Sequence, residues 1–223
     1  MITTPDLIES LAANVRPVKR MGSPIWRGLR WSLLAVAVLV LLTLSQGIRP
    51  DIAVKMQDYT FVARLGGAFL TAILAAIAAF MVSLPDRSRL WLLLPLPALL
   101  VWMATIGYQC LTRWISLGPN GMEPGETARC FATLVLTGLP LTLAMLLMLR
   151  FAAPLQPSAA AMAGGLAVAA TTAVAMTLFH VLDASIMVLM WNLGTATLFL
   201  VLAKSFGNRM FSWVAPQSSL LRP

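Results

Sequence analysis

The chain has 223 residues, 59% of them hydrophobic and 11% charged, with a mean hydropathy of +0.85. Soluble globular domains are about half apolar and about a quarter charged, so a water-soluble enzyme or binding domain is excluded as the class. The net charge of +8 comes from Arg and Lys set between long uncharged runs, the distribution that membrane topology demands, and direct nucleic-acid binding is not expected.

The N-terminal stretch "TTPDLIESLAANVRPVKR" predicts a short amphipathic helix. Thr4 suits its cap and Pro5 its first position, while Asp6 and Glu9 complement the positive end of its dipole. Leu7, Ile8, Leu11 and Val15 fall on one face at helical spacing. The first long apolar run follows without a small-x-small cleavage pattern, so the N-terminus is expected to be retained and not removed as a signal peptide.

Six runs are then long enough to cross a bilayer, which takes about 20 helical residues. They cover residues 25–46, 65–84, 90–111, 130–149, 158–182 and 184–203. The expected architecture is an all-α, polytopic membrane protein, a bundle of six transmembrane helices with a short cytoplasmic N-terminal helix. Its parts are a cytoplasmic segment (1–24), the membrane domain (25–203) and a cytoplasmic tail (204–223). With this topology eleven Lys and Arg fall on the side of the termini and five on the other. The positive-inside rule therefore places both termini in the cytoplasm.

Within the runs, Gly66, Gly67, Gly164 and Gly165 sit among alanines, where small residues let helix backbones approach. The Ala-rich start of the fifth run predicts a buried packing helix. Pro95, Pro97 and Pro140 fall inside spans and permit kinks. Thr43, Thr71, Thr105, Thr171 and Thr172 are expected to bond backbone carbonyls. Ionisable residues are almost absent from the spans, although transporters and channels usually carry them there. Paired carboxylates, HExxH, GxSxG and phosphate-cradling glycine loops are missing as well, so neither an enzyme nor a cofactor is expected. A small membrane carrier or channel is the alternative class.

Polar residues gather in the linkers on the side opposite the termini. His180 and Asp183 are three residues apart, a spacing that brings them to one side of a helix end. Either Asp183 caps the sixth helix and His180 is an interfacial hydrogen-bonder, or the pair is a proton- or metal-responsive site. Cys110 ends the third run and Cys130 opens the fourth, on the same side. They are a disulfide or redox pair, thiols that meet a soft metal beside His180, or two unrelated small apolar residues. No metal is assigned.

Taken in order, "DLIESLAANVRPV", the "GIRPD" after the first run, Cys130 opening the fourth, and H-x-x-D-x-S at His180–Asp183–Ser185 with Trp191 beyond resemble the NrsF-like family of bacterial membrane anti-sigma factors. These are negative regulators of an extracytoplasmic-function sigma factor of the sigma F type. The resemblance covers essentially the whole chain. It implies a multi-pass protein of the bacterial inner membrane that sequesters its sigma factor at the cytoplasmic face and releases it on periplasmic redox or metal stress. Cys130 matches a family cysteine. A second family cysteine directly follows the histidine, where this chain has Val181, which leaves Cys110 as the candidate partner. The face of Leu7, Ile8, Leu11 and Val15 fits a groove on such a partner, with the membrane lipid as its rival surface.

Overall fold

The computed structural model describes residues 4–13, 22–84, 86–113, 124–150 and 157–179. The run predicted over 184–203, the tail, and the end of the fifth run beyond residue 179 lie outside these residues. The described chain is all-α, with helices α1 (Thr4–Ala13), α2 (Pro24–Gln46), α3 (Ile52–Lys55), α4 (Tyr59–Val82), α5 (Leu96–Arg113), α6 (Pro124–Arg150) and α7 (Pro157–Phe179). A 3₁₀ turn over Arg89–Leu93 precedes α5. Among the described residues, five helical stretches are long and apolar enough to cross a membrane, at mean hydropathies of 1.7 to 2.3.

Capping sets where these helices start, and that shifts them from the apolar runs. Ser23 caps α2 by accepting from the Trp26 amide, with Pro24 at the first position. Gly47 ends α2 at φ 75°, its amide bonded to the Thr43 carbonyl, a left-handed conformation suited to glycine. Asp58 caps α4, accepting from the amide and hydroxyl of Thr60 at 2.9 and 2.8 Å. The second helix thus begins six residues before its apolar run, with Thr60 and Arg64 already helical. Likewise α6 begins at Pro124, ahead of Cys130, because the polar "PGETAR" is helical without being hydrophobic. All three prolines fall within membrane-spanning stretches, Pro95 and Pro97 in Arg89–Tyr108 where the 3₁₀ turn passes into α5, and Pro140 in the interior of α6.

The bundle is built around α4 and α7. In both, 61% of the apolar span is buried, against 22–28% in the other three. The pair meets through alanines: Ala75, Ala76, Ala78 and Ala79 on α4, and Ala167, Ala170 and Ala175 on α7, are all fully buried. Helix α5 packs on α4, α2 on α4 and α6, and α6 on α7. Of the four glycines expected to allow close approach, two do so. A side chain at Gly67 would meet the Trp102 backbone on α5 at 3.1 Å, and one at Gly164 the Met145 side chain on α6 at 2.9 Å, whereas Gly66 and Gly165 face open space. Gly28 does the same on α2, its missing side chain leaving room for the Ile77 backbone at 3.1 Å.

Outward faces of the flanking helices carry Leu33, Leu41 and Leu44 on α2 and Leu136, Leu139 and Leu143 on α6. An apolar surface of this extent is suited to lipid hydrocarbon. All five threonines singled out above bond the carbonyl three or four residues back, at 2.7 to 2.9 Å. Their hydroxyls are satisfied within their own helices, as hydrocarbon requires.

Arg27, Trp31 and Gln46 fasten α2 to α6. Near the start of α2, the Arg27 guanidinium donates to the Met148 carbonyl and lies 5.0 Å from the Phe80 ring centroid on α4. One turn on, the buried Trp31 donates its indole N–H to the Leu141 carbonyl at 3.3 Å. At the far end of α2, Gln46 Oε1 accepts from the Thr133 hydroxyl at 3.2 Å.

Candidate functional site

The link between α2 and α4 turns back through "GIRPD", and two hydrogen bonds join its surroundings to the rest of the bundle. Gln46 holds Thr133 on α6, and the Arg49 amide donates to the Leu178 carbonyl at 3.1 Å. The end of α7 and the early turns of α6 therefore meet the same corner of the molecule.

Arg49 is the centre of that corner. It is only 3% exposed and grips Asp51 with two bonds, Nε to Oδ1 at 2.6 Å and Nη2 to Oδ2 at 2.7 Å. Pro50 between them fixes the turn that lets residues two apart face each other. The Asp51 carboxylate is thereby diverted from capping α3, where it makes no side-chain cap bond. The Arg49 guanidinium lies 5.7 Å from the centroid of the buried Phe61 ring, and Arg64 lies 5.4 Å from the same ring. A buried cation is tolerable when paired and hydrogen-bonded, and here a forked donor meets a carboxylate while an aromatic face adds attraction.

Hydrogen bonding from Arg49 holds the Asp51 carboxyl below its ordinary value of 3.8, and the Thr60 hydroxyl and amide do the same for Asp58. A depressed carboxyl stabilises the fold fully above its unfolded value and loses that contribution as pH falls through the folded one. The contribution of Asp51 and Asp58 to thermal unfolding in detergent is therefore expected to be complete and independent of pH near neutrality. Its midpoint should drop as pH falls below about 3.9, and the Asp51→Asn, Asp58→Asn double variant should show a shallower drop. Equal slopes for the two proteins would contradict the assignment.

Two of the residues expected to sense stress lie on described helices. Cys110 is in the last turn of α5 and Cys130 in the second turn of α6, at the two helix ends joined by residues 114–123. Thr133, bonded to Gln46, follows Cys130 by one helical turn. His180 and Asp183 lie outside the described residues; the last described residues of α7 are Leu178 and Phe179, and Arg49 holds the carbonyl of the first. Among the described residues, no group of three or more His, Cys, Asp or Glu could hold a metal. Leu7, Ile8 and Leu11 are on α1, while Val15 lies outside the described residues.

A crevice between α2, α4 and α7 is lined by Trp31, Ala35, Leu39, Phe69 and Val174, together with Ser32 and Thr171. Both hydroxyls are committed to their own helices, to the Gly28 and Ala167 carbonyls at 3.0 and 2.9 Å. It offers hydrocarbon walls and no converging polar groups for a solute.

The sequence reading missed Arg49, Asp51, Phe61 and Arg64 as one cluster. The available signal was the Arg-Pro-Asp spacing, a bend with opposite charges on either side of it. A family model described as "Negative regulator of sigma F" (NrsF) matches residues 11–213. No curated protein and no solved structure matches the chain.

Proposed function

The chain belongs to the NrsF family of negative regulators of sigma F, and from that premise we propose that it is a membrane-bound anti-sigma factor. Its partner is an extracytoplasmic-function sigma factor, held at the cytoplasmic face of a bacterial inner membrane and freed when oxidant or metal stress reaches the periplasmic side. The observation that carries this reading is the extent of the match, which runs from within α1 through every described span. The work is done by binding and release and involves no chemical transformation.

Both termini are cytoplasmic in this reading, supported by the excess of Lys and Arg on their side. Helix α1 is the docking element, through Leu7, Ile8, Leu11 and the following Val15. The family match begins at residue 11, so the role of Leu7 and Ile8 rests on the amphipathic spacing and the topology. Cys130, with Cys110, His180 and Asp183, forms the sensing group on the periplasmic side. Membrane lipid is the second partner, in contact with the apolar outer faces of α2, α5 and α6.

The test is capture by the solubilised full-length protein. Recovery of an extracytoplasmic-function sigma factor supports the reading; no capture together with solute flux in liposomes points to a carrier. Cys130→Ser is expected to capture the sigma factor as well as the parent chain but to retain it under hydrogen peroxide or cadmium chloride. A variant that releases like the parent under both challenges would remove Cys130 from the sensing group.

A further inference from the structure

We propose that the seam between α2 and α6 is the element that carries a change at the Cys130 end of α6 to the chain preceding α2. Its two ends are the proposed sensing and docking regions, so its functional readout rests on the anti-sigma reading. The seam itself rests on the three side-chain bonds between the helices.

Helix α6 presents one buried stripe, with Thr133, Thr137, Leu141, Met145 and Leu149 each at 4% exposure or less. The bonds from α2 land along that stripe or beside it, at Thr133, Leu141 and Met148. These points span about 22 Å of helix at about 1.5 Å per residue. Thr133 is one turn from Cys130; Met148 is among the last four carbonyls of α6, which have no intrahelical partner. Arg27 supplies that partner and places a cation at the negative end of the α6 dipole, with the Phe80 ring of α4 steadying the guanidinium. Arg27 is also the fourth residue of α2, so its position fixes the first turn of that helix.

The seam has a place at which to switch. Pro140 removes the backbone bond that would otherwise close on the Leu136 carbonyl, which is where a helix bends. It directly precedes Leu141, whose carbonyl Trp31 holds. A bend that starts at the Cys130 half of α6 therefore reorients the acceptor of the central bond. Away from water, a broken bond is not replaced by solvent, so the seam favours two discrete arrangements over gradual drift.

The experiment uses the full-length protein in nanodiscs and in cells. Trp31→Phe keeps an aromatic side chain, though a smaller one, and removes the N–H; Arg27→Gln removes the charge and Arg27→Lys restores it. Trp31→Phe and Arg27→Gln are expected to capture the sigma factor like the parent, with release under hydrogen peroxide or cadmium chloride reduced about 5-fold or more. Arg27→Lys is expected to recover release. Spin labels carried by non-canonical residues at the exposed positions 29 and 147 report the seam directly. The distance distribution should be narrow in the parent and broadened in Trp31→Phe and Arg27→Gln. Parent-like release in both variants overturns the proposal, and so does an unchanged label distribution in both. If Arg27→Gln does not fold, Trp31→Phe decides alone. A parent chain that captures no sigma factor overturns the anti-sigma reading instead, and the labels then decide the seam.

Discussion

Replacing Leu7 and Leu11 together with Asp is expected to lower capture of the sigma factor at least about 100-fold while leaving the bundle folded and inserted. The two positions are one turn apart on α1 (Thr4–Ala13) and share a face of it. A helix of ten residues is marginal alone in water and gains its stability by packing. Each leucine contributes about 1.5–3 kcal/mol when fully buried. Two of them amount to at least about 3 kcal/mol, and each 1.4 kcal/mol is about tenfold in affinity. A carboxylate forced into the same groove adds a desolvation cost on top. If α1 lies on lipid and takes no part in docking, the variant loses membrane contact near the headgroups and capture is unaffected. Parent-like recovery in a pull-down would therefore assign α1 to the membrane surface.

Trp31→Ala is expected to cost the fold about 4 kcal/mol. Trp31 is 1% exposed and packs with Ala35 of its own helix, Ala75, Ala76 and Phe80 of α4 and Leu141 and Met145 of α6. Lipid is as apolar as the core, so moving the indole out of water is not what stabilises it here. What remains is the void: roughly 140 Å³ of lost side chain at about 24 cal/mol per Å³ gives about 3 kcal/mol. Loss of the bond to Leu141 adds about 0.5–1.5 kcal/mol. Leu33, on the same helix but 71% exposed, should be nearly neutral as Leu33→Ala. Unfolding in detergent checks the pair, and equal losses at the two sites would refute the packing assignment.

Hydropathy made the membrane helices legible because the quantity it sums is the quantity that decides insertion. It could not locate helix starts, which depend on local hydrogen bonds. Asp58 begins α4 six residues ahead of the apolar run, and Pro124 begins α6 well ahead of Cys130. The threonines were readable, since a hydroxyl in a helix has a carbonyl within reach one turn back. The glycines were readable only as a class: Gly67 and Gly66 are neighbours, and which one meets Trp102 depends on where α5 lies.

The charge count used Arg27 and Arg49 as markers of topology, a use that treats cations as facing water. Arg49 is instead buried and Arg27 half-buried, each held by partners that a linear reading does not connect. Arg27 reaches Phe80 and Met148, and Arg49 reaches Phe61 and Leu178. The residues proposed to sense stress show the opposite balance. Cys110 and Cys130 were placed by sequence at two linked helix ends, and the helices are there, while His180 and Asp183 lie beyond the last described residue of α7.

The alanine contact between α4 and α7 makes this protein's tolerance of change one-sided. At Ala75, Ala76, Ala167 and Ala170, each without exposed surface, every substitution except glycine adds atoms to a filled space. The distance between the two central helices is therefore a floor: sequence drift can push them apart but has almost nothing left to remove. Variation in the family would accumulate on the lipid-facing leucines, where size is unconstrained, and the spacing of the central pair would be inherited nearly unchanged.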